Sequence, residues 1–87
     1  MKVLIFHSDP GHAWLEVSKV ELRRVGVSKN EISHYSYKKG PNVYLEEDCD
    51  AGIYINALMK KDSLSRDDIC IKEIHNEDSP IRNYCYY

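Results

Sequence analysis

No apolar run in these 87 residues approaches the roughly 20 that a helix needs to cross a bilayer, which excludes a helical membrane span. The opening MKVLIFHSD turns polar directly after Phe6, so it reads as a strand rather than a signal peptide. Cysteine is scarce and unpaired in spacing: Cys49, Cys70 and Cys85 are odd in number and form no Cys-x-x-Cys. A disulfide framework and a zinc ribbon are excluded on that ground, and reduced thiols in the cytosol are expected, with no metal and no cofactor. With only 4 glycines and 3 prolines there is no linker or low-complexity tract. Charge of one sign is also missing: 12 Lys and Arg intermingle with 14 Asp and Glu for a net charge of −2. That balance argues against direct nucleic-acid binding and against docking on an anionic membrane. Nor is there a glycine-rich phosphate loop, a serine nucleophile elbow or a His-Glu-x-x-His pair.

What is present is one small domain, residues 1–87, with 43% hydrophobic residues spread along the chain and 7 tyrosines among its aromatics. Tyrosine combines a rigid ring with a polar tip and is enriched at recognition surfaces. Residues 2–7 are β-branched and aromatic and stop at Ser8-Asp9-Pro10-Gly11, a turn in which Pro10 presets φ and Gly11 supplies a positive one. Beyond it Ala13, Leu15 and Val17 alternate with His12, Trp14 and Glu16, predicting a hairpin with the aliphatic set inward. Ser18 and Glu21 have the spacing of a capping box, with Val17 and Leu22 as its staple, and Gly26 stops the helix predicted over 19–25.

Residues 31–38 alternate Ile32, His34 and Ser36 with Ser33, Tyr35 and Tyr37, which predicts a strand; a loop at Lys39-Gly40-Pro41-Asn42 leads back through Val43-Tyr44-Leu45. From about Asp48 to Lys61 the period becomes helical, with Ala51, Tyr54, Ile55, Leu58 and Met59 on one side, and Gly52 marks a close packing contact. Ile69–His75 is a last strand, and Ser79-Pro80 opens a single helical turn. The order β-β-α-β-β-α-β predicts an α+β fold: a two-layer sandwich with a mostly antiparallel sheet of about five strands, one main helix and one short helix.

Two sets of residues compete for function. His7, Asp9 and His12 frame the first turn, and with His75 they could serve a small hydrolase or nuclease as acid, base or ligand. That reading requires them to converge, since their spacing matches no metal motif. The plainer alternative makes Asp9 a turn cap and the histidines half-exposed strand ends. The second set is a binding surface: Trp14, Tyr35, Tyr37 and Tyr44 as aromatic anchors, with Glu46, Glu47 and Asp50 as an acidic strand-to-helix junction. Against it, Trp14 packs if the sheet is covered on both faces, the tyrosines form a cross-strand ladder, and the carboxylates serve the helix start. Cys49 sits at that start, but Asp48 and Asp50 oppose its ionisation.

Three phrases, Asp9-Pro10-Gly11-His12-Ala13-Trp14-Leu15-Glu16-Val17, Val43-Tyr44-Leu45-Glu46-Glu47-Asp48-Cys49-Asp50 and Asp78-Ser79-Pro80-Ile81-Arg82-Asn83-Tyr84, together resemble a family of small uncharacterised bacteriophage and prophage proteins. The resemblance implies a source, not a reaction. It makes the expected role that of an accessory protein in the host bacterial cytosol that binds a host protein or protein–nucleic acid complex, as an anti-CRISPR-like inhibitor would. The composition is compatible with a homo-oligomer.

Overall fold

The computed structural model describes residues 2–33 and 35–87. Among these residues the strands and α-helices follow in the order β1 (Lys2–Ser8), β2 (Ala13–Ser18), α1 (Lys19–Arg24), β3 (Tyr37–Lys39), β4 (Asn42–Glu46), α2 (Asp50–Asp62), β5 (Ile69–His75) and β6 (Cys85–Tyr86). The strands make one six-stranded sheet in the order β5-β1-β2-β4-β3-β6, in which only the β5–β1 pairing is parallel. The α+β architecture is as the sequence predicts, with one strand more because the tail at Cys85–Tyr86 pairs with β3.

The β1–β2 hairpin puts His7 opposite Trp14. Asp9 forms its turn: Asp9 Oδ1 accepts the backbone N–H groups of Gly11 and His12, both at 2.9 Å. Gly11 does not use the positive φ predicted for it; a Cβ there would instead meet Arg82 Nη2 at 3.2 Å. In the β3–β4 hairpin the positive φ is real, at Gly40 (58°) in the two-residue connection.

Ser18 caps α1 by accepting from Glu21 N–H at 3.0 Å. The reciprocal half of the predicted box is not made, because the Glu21 carboxylate is taken by Arg24 Nε (2.7 Å) and by the Tyr54 hydroxyl (2.7 Å), which tie α1 to α2. At the far end Gly26 adopts φ +83° and Val27 N–H reaches Leu22 C=O at 3.0 Å, closing the helix. Hydrogen bonding to Arg24 first, then to Tyr54, and the charges of Lys2 and Arg24 hold the Glu21 carboxyl down to about 2 against the opposing effect of burial. Since that value lies below the ordinary 4.5, Glu21 contributes stability that is fully present above pH 4.5 and is lost as pH falls through about 2. The melting temperature should therefore fall between pH 4.5 and 2, and Glu21→Gln should shrink that fall while lowering the melting temperature at neutral pH. An acid-induced fall of the same size in Glu21→Gln would remove Glu21 from the account.

One face of the sheet carries the main core. Leu4, Phe6, Leu15, Val17, Val43 and Leu45 meet Leu22 of α1 and Ala51, Tyr54, Ile55 and Leu58 of α2. These are the helical positions that the 3.6-residue period selects. The expectation for Gly52 fails, because a Cβ there would meet nothing within 4 Å. On the opposite face Trp14, Tyr44 and Ile81 form a second, smaller cluster with Tyr37 and Tyr84 against it. The cover there is the 3-10 turn Pro80–Asn83, capped by Ser79 with Pro80 in its first turn as predicted.

The strand predicted over 31–38 is corrected to a 3-10 turn at Lys29–Glu31 and a β3 of only three residues. His34, part of that prediction, lies outside the described residues. Side-chain bonds replace the ladder in this stretch. Ser28 N–H donates to Glu31 Oε2 at 2.7 Å, and the Ser33 N–H and Oγ and the Ser36 Oγ all donate to Asp50 Oδ2.

Candidate functional site

The two sequence-predicted sets fare differently. His7, Asp9, His12 and His75 are not brought together. Each is held by separate partners: His7 Nε2 lies 2.9 Å from Glu16 Oε1 and edge-on to Tyr44, and His75 Nδ1 lies 3.0 Å from Ser8 Oγ. The register aligns His75 with Ser8, one residue beyond His7, so strand alternation sends His7 and His75 to opposite faces of the sheet. Asp9 accepts from Arg82 Nε and, at 3.0 Å, from Arg82 Nη2. Those bonds, with its turn N–H groups, keep its carboxyl well below the ordinary range. The plain alternative for Asp9, a turn cap, is what the geometry contains. No cluster of three or more His, Cys, Asp or Glu among the described residues is placed to hold a metal ion.

The aromatic set converges instead. A cleft of about 340 Å³ opens between the β1–β2 turn, the start of α2 and the C-terminal segment, and Trp14, Tyr35, Tyr37 and Glu46 line it together with His12. Trp14 and Tyr37 meet edge to face with centroids 6.0 Å apart, and Tyr86 stacks on Tyr37 at 5.0 Å. Tyr35 and Tyr86 stand 69% and 67% exposed at the cleft, whereas Trp14 is only 2% exposed. An exposed Trp14 is thereby corrected: the Arg82 guanidinium lies over its ring at 5.4 Å, and Ile81 packs in the same cluster. Substitution at Trp14 would be read out as a folding defect rather than a lost contact.

Tyr44 is buried against Tyr84 and His7 and does not line the cleft; in the strand register it stands opposite Tyr37, which stands opposite Tyr86, so the cross-strand ladder runs Tyr44, Tyr37, Tyr86 and leaves out Tyr35. Burial first raises the Tyr44 pKa; for Tyr37 burial acts with its hydrogen bond to Tyr86 in the same direction.

The acidic junction is also reshaped. Asp50 is 2% exposed and serves Ser33 and Ser36 rather than the surface, and Cys49 stands at the helix cap without a side-chain cap bond. Glu47 is exposed and outside the cleft. Glu46 is 7% exposed; its backbone N–H donates to Ser36 Oγ at 3.0 Å, its Oε1 lies 3.9 Å from His12 Nδ1, and its buried Oε2 has no hydrogen-bond partner among the described residues. Beside it the Cys49 thiol is pushed up from its ordinary value, chiefly by hydrogen bonding to Glu46, then by burial and by the charges of Glu46, Asp50 and Asp48. A thiol so held is a poor nucleophile.

Sequence reasoning did not single out Arg82 or Tyr86 for this site. Nothing local signals either one, since each acquires its place only when the C-terminal segment crosses to Asp9 and Tyr37. No protein-family model, curated protein or solved structure matches this chain. No helix among the described residues is long and apolar enough to cross a membrane.

Proposed function

We propose that this protein is a non-catalytic binding module: a bacteriophage-encoded accessory protein of the host cytosol that inhibits a bacterial defence complex by occupying one of its surfaces. The observation that carries the binding reading is the cleft, where two exposed tyrosines flank a rigid floor of Trp14 and Tyr37. Rigid aromatic anchors around a desolvated centre are the usual carriers of interface energy. The source and the kind of target rest on the three phrases alone. Aromatic faces beside the carboxylates of Glu46 and Asp48 suit a lysine or arginine side chain of the partner.

Affinity capture from bacterial cytosol with the tagged chain tests this. A stoichiometric partner is expected, and Tyr35→Ala should weaken it by about 2 kcal/mol without moving the thermal transition. Charge reversal at the exposed Glu47, outside the cleft, should matter little. Turnover of nucleotide, nucleic-acid or peptide substrates that disappears in His12→Ala, with no partner recovered, would overturn the reading.

A further inference from the structure

The intermingled charges of the sequence segregate in space. Two adjoining hollows, of about 320 and 700 Å³, lie at the start of α1 and along the β3–β4 hairpin. Lys19, Arg23, Lys29 and Lys38 line the first; Lys19, Lys38 and Lys39 line the second, so the two share Lys19 and Lys38 and form one groove. Among the described residues no carboxylate side chain lines either hollow, in a chain with 14 acids against 12 bases.

The cations are held there by the fold. Lys19 and Arg23 are four residues apart on α1 and so share a face. The Lys19 N–H bonds Pro41 C=O at 2.8 Å, fixing the start of α1 against the hairpin that carries Lys38 and Lys39. None of the five forms an ion pair within the described residues, whereas Lys2, Arg24 and Arg82 do find carboxylates. Four like charges at the first hollow and three at the second, with Lys19 and Lys38 common to both, repel each other, and an anion arriving there relieves that repulsion. Aromatic rings complete the groove: the Lys39 ammonium lies 4.8 Å over the Tyr84 ring, and Tyr87 lines the first hollow.

We propose that this groove binds the phosphodiester backbone of a single-stranded nucleic acid, with the lysines and Arg23 on phosphates and the tyrosines beside bases. A concave track of cations interleaved with rings is what single strands use. A duplex would need a protruding element to enter its groove, and these hollows recede. The site goes beyond the aromatic cleft, with which it has no lining residue in common. Net charge concealed it, because residues 19, 23, 29, 38 and 39 assemble only in the folded chain.

Fluorescence anisotropy of a labelled 15-nucleotide oligo(dT) with the full chain tests the proposal. Five phosphate contacts on a single strand give a slope of log K against log salt of about −3.5, or about a hundredfold loss between 50 and 200 mM salt. Lys38→Glu/Lys39→Glu should lose at least tenfold in affinity at 50 mM salt, and Arg23→Glu/Lys29→Glu should do the same from the other wall. Lys60→Glu/Lys61→Glu, the same charge change at the far end of α2, should bind as wild type. Absence of binding at 50 mM salt would overturn the proposal, as would equal loss in all three folded variants. Equal competition by poly-glutamate of the same length would replace it with a site for an acidic protein.

Discussion

Replacing Ile55 by aspartate is expected to abolish the cooperative thermal transition. Ile55 is 7% exposed within α2 and faces the sheet in the same cluster as Leu15, Val43 and Leu45. Among the described residues no lysine, arginine or histidine is buried, so none is there to pair with a new carboxylate. An ionised group placed there either stays charged without compensation or takes up a proton, and both routes cost several kcal/mol beyond the lost apolar burial. A domain of this size has about 4–13 kcal/mol of stability in total, so one such change removes most of it. Circular dichroism against temperature reads the result directly. A wild-type transition in Ile55→Asp would mean that α2 does not pack on the sheet through this face.

Asp50→Ala should rank next, at about 3 kcal/mol. Three donors, the Ser33 N–H and the Ser33 and Ser36 hydroxyls, end on the one oxygen Oδ2 at 3.0, 2.6 and 2.5 Å, and the side chain is almost fully enclosed. Alanine would strand donors that have little access to water, and an unsatisfied buried donor costs more than the bond itself contributes. For a chain of this length about 3 kcal/mol lowers the melting temperature by about 12–24 °C. Asp50→Asn, which keeps an acceptor but not the charge, should lose less. A shift under about 4 °C in Asp50→Ala would remove Asp50 from this role. The effect should reach the cleft as well, because Ser36 Oγ, held by Asp50, accepts from the backbone N–H of Glu46.

The parts of the fold that were legible in the sequence are those in which one local signal suffices. Alternation at Ala13, Leu15 and Val17, the Ser18 cap with Gly26 as stop, and the period through Ala51, Tyr54, Ile55 and Leu58 each place an element within a residue or two. The stretch 31–38 misled because its alternation imitates a strand, while the competing signal, Ser28 three residues before Glu31, makes a capping box of its own. Ser33 and Ser36 look like polar strand positions until Asp50, fourteen or more residues away, is known to collect them. The same limit governs the site. Trp14, Tyr35 and Tyr37 could be nominated by residue type, yet whether Trp14 is covered depends on Ile81 and Arg82. Glu46 and Asp50 were chosen as a charged surface, and both went inside: the hydroxyls of Ser33 and Ser36 replace water around the Asp50 carboxylate, and the same Ser36 hydroxyl holds the backbone of Glu46.

The strand order also sets how the molecule breathes. β5 touches the sheet only through β1, at one edge, and six of its seven residues are exposed. Its amides should therefore exchange with solvent through a partial opening far less costly than global unfolding, ahead of those of β2 and β4 at the centre. No residue of β5 lines the aromatic cleft or the basic groove, both of which draw their lining from residues 12–49 and from the segment after Ser79. Deuterium uptake by β5 should accordingly be unchanged when either surface is occupied, and a molecule with that edge detached would keep both surfaces intact.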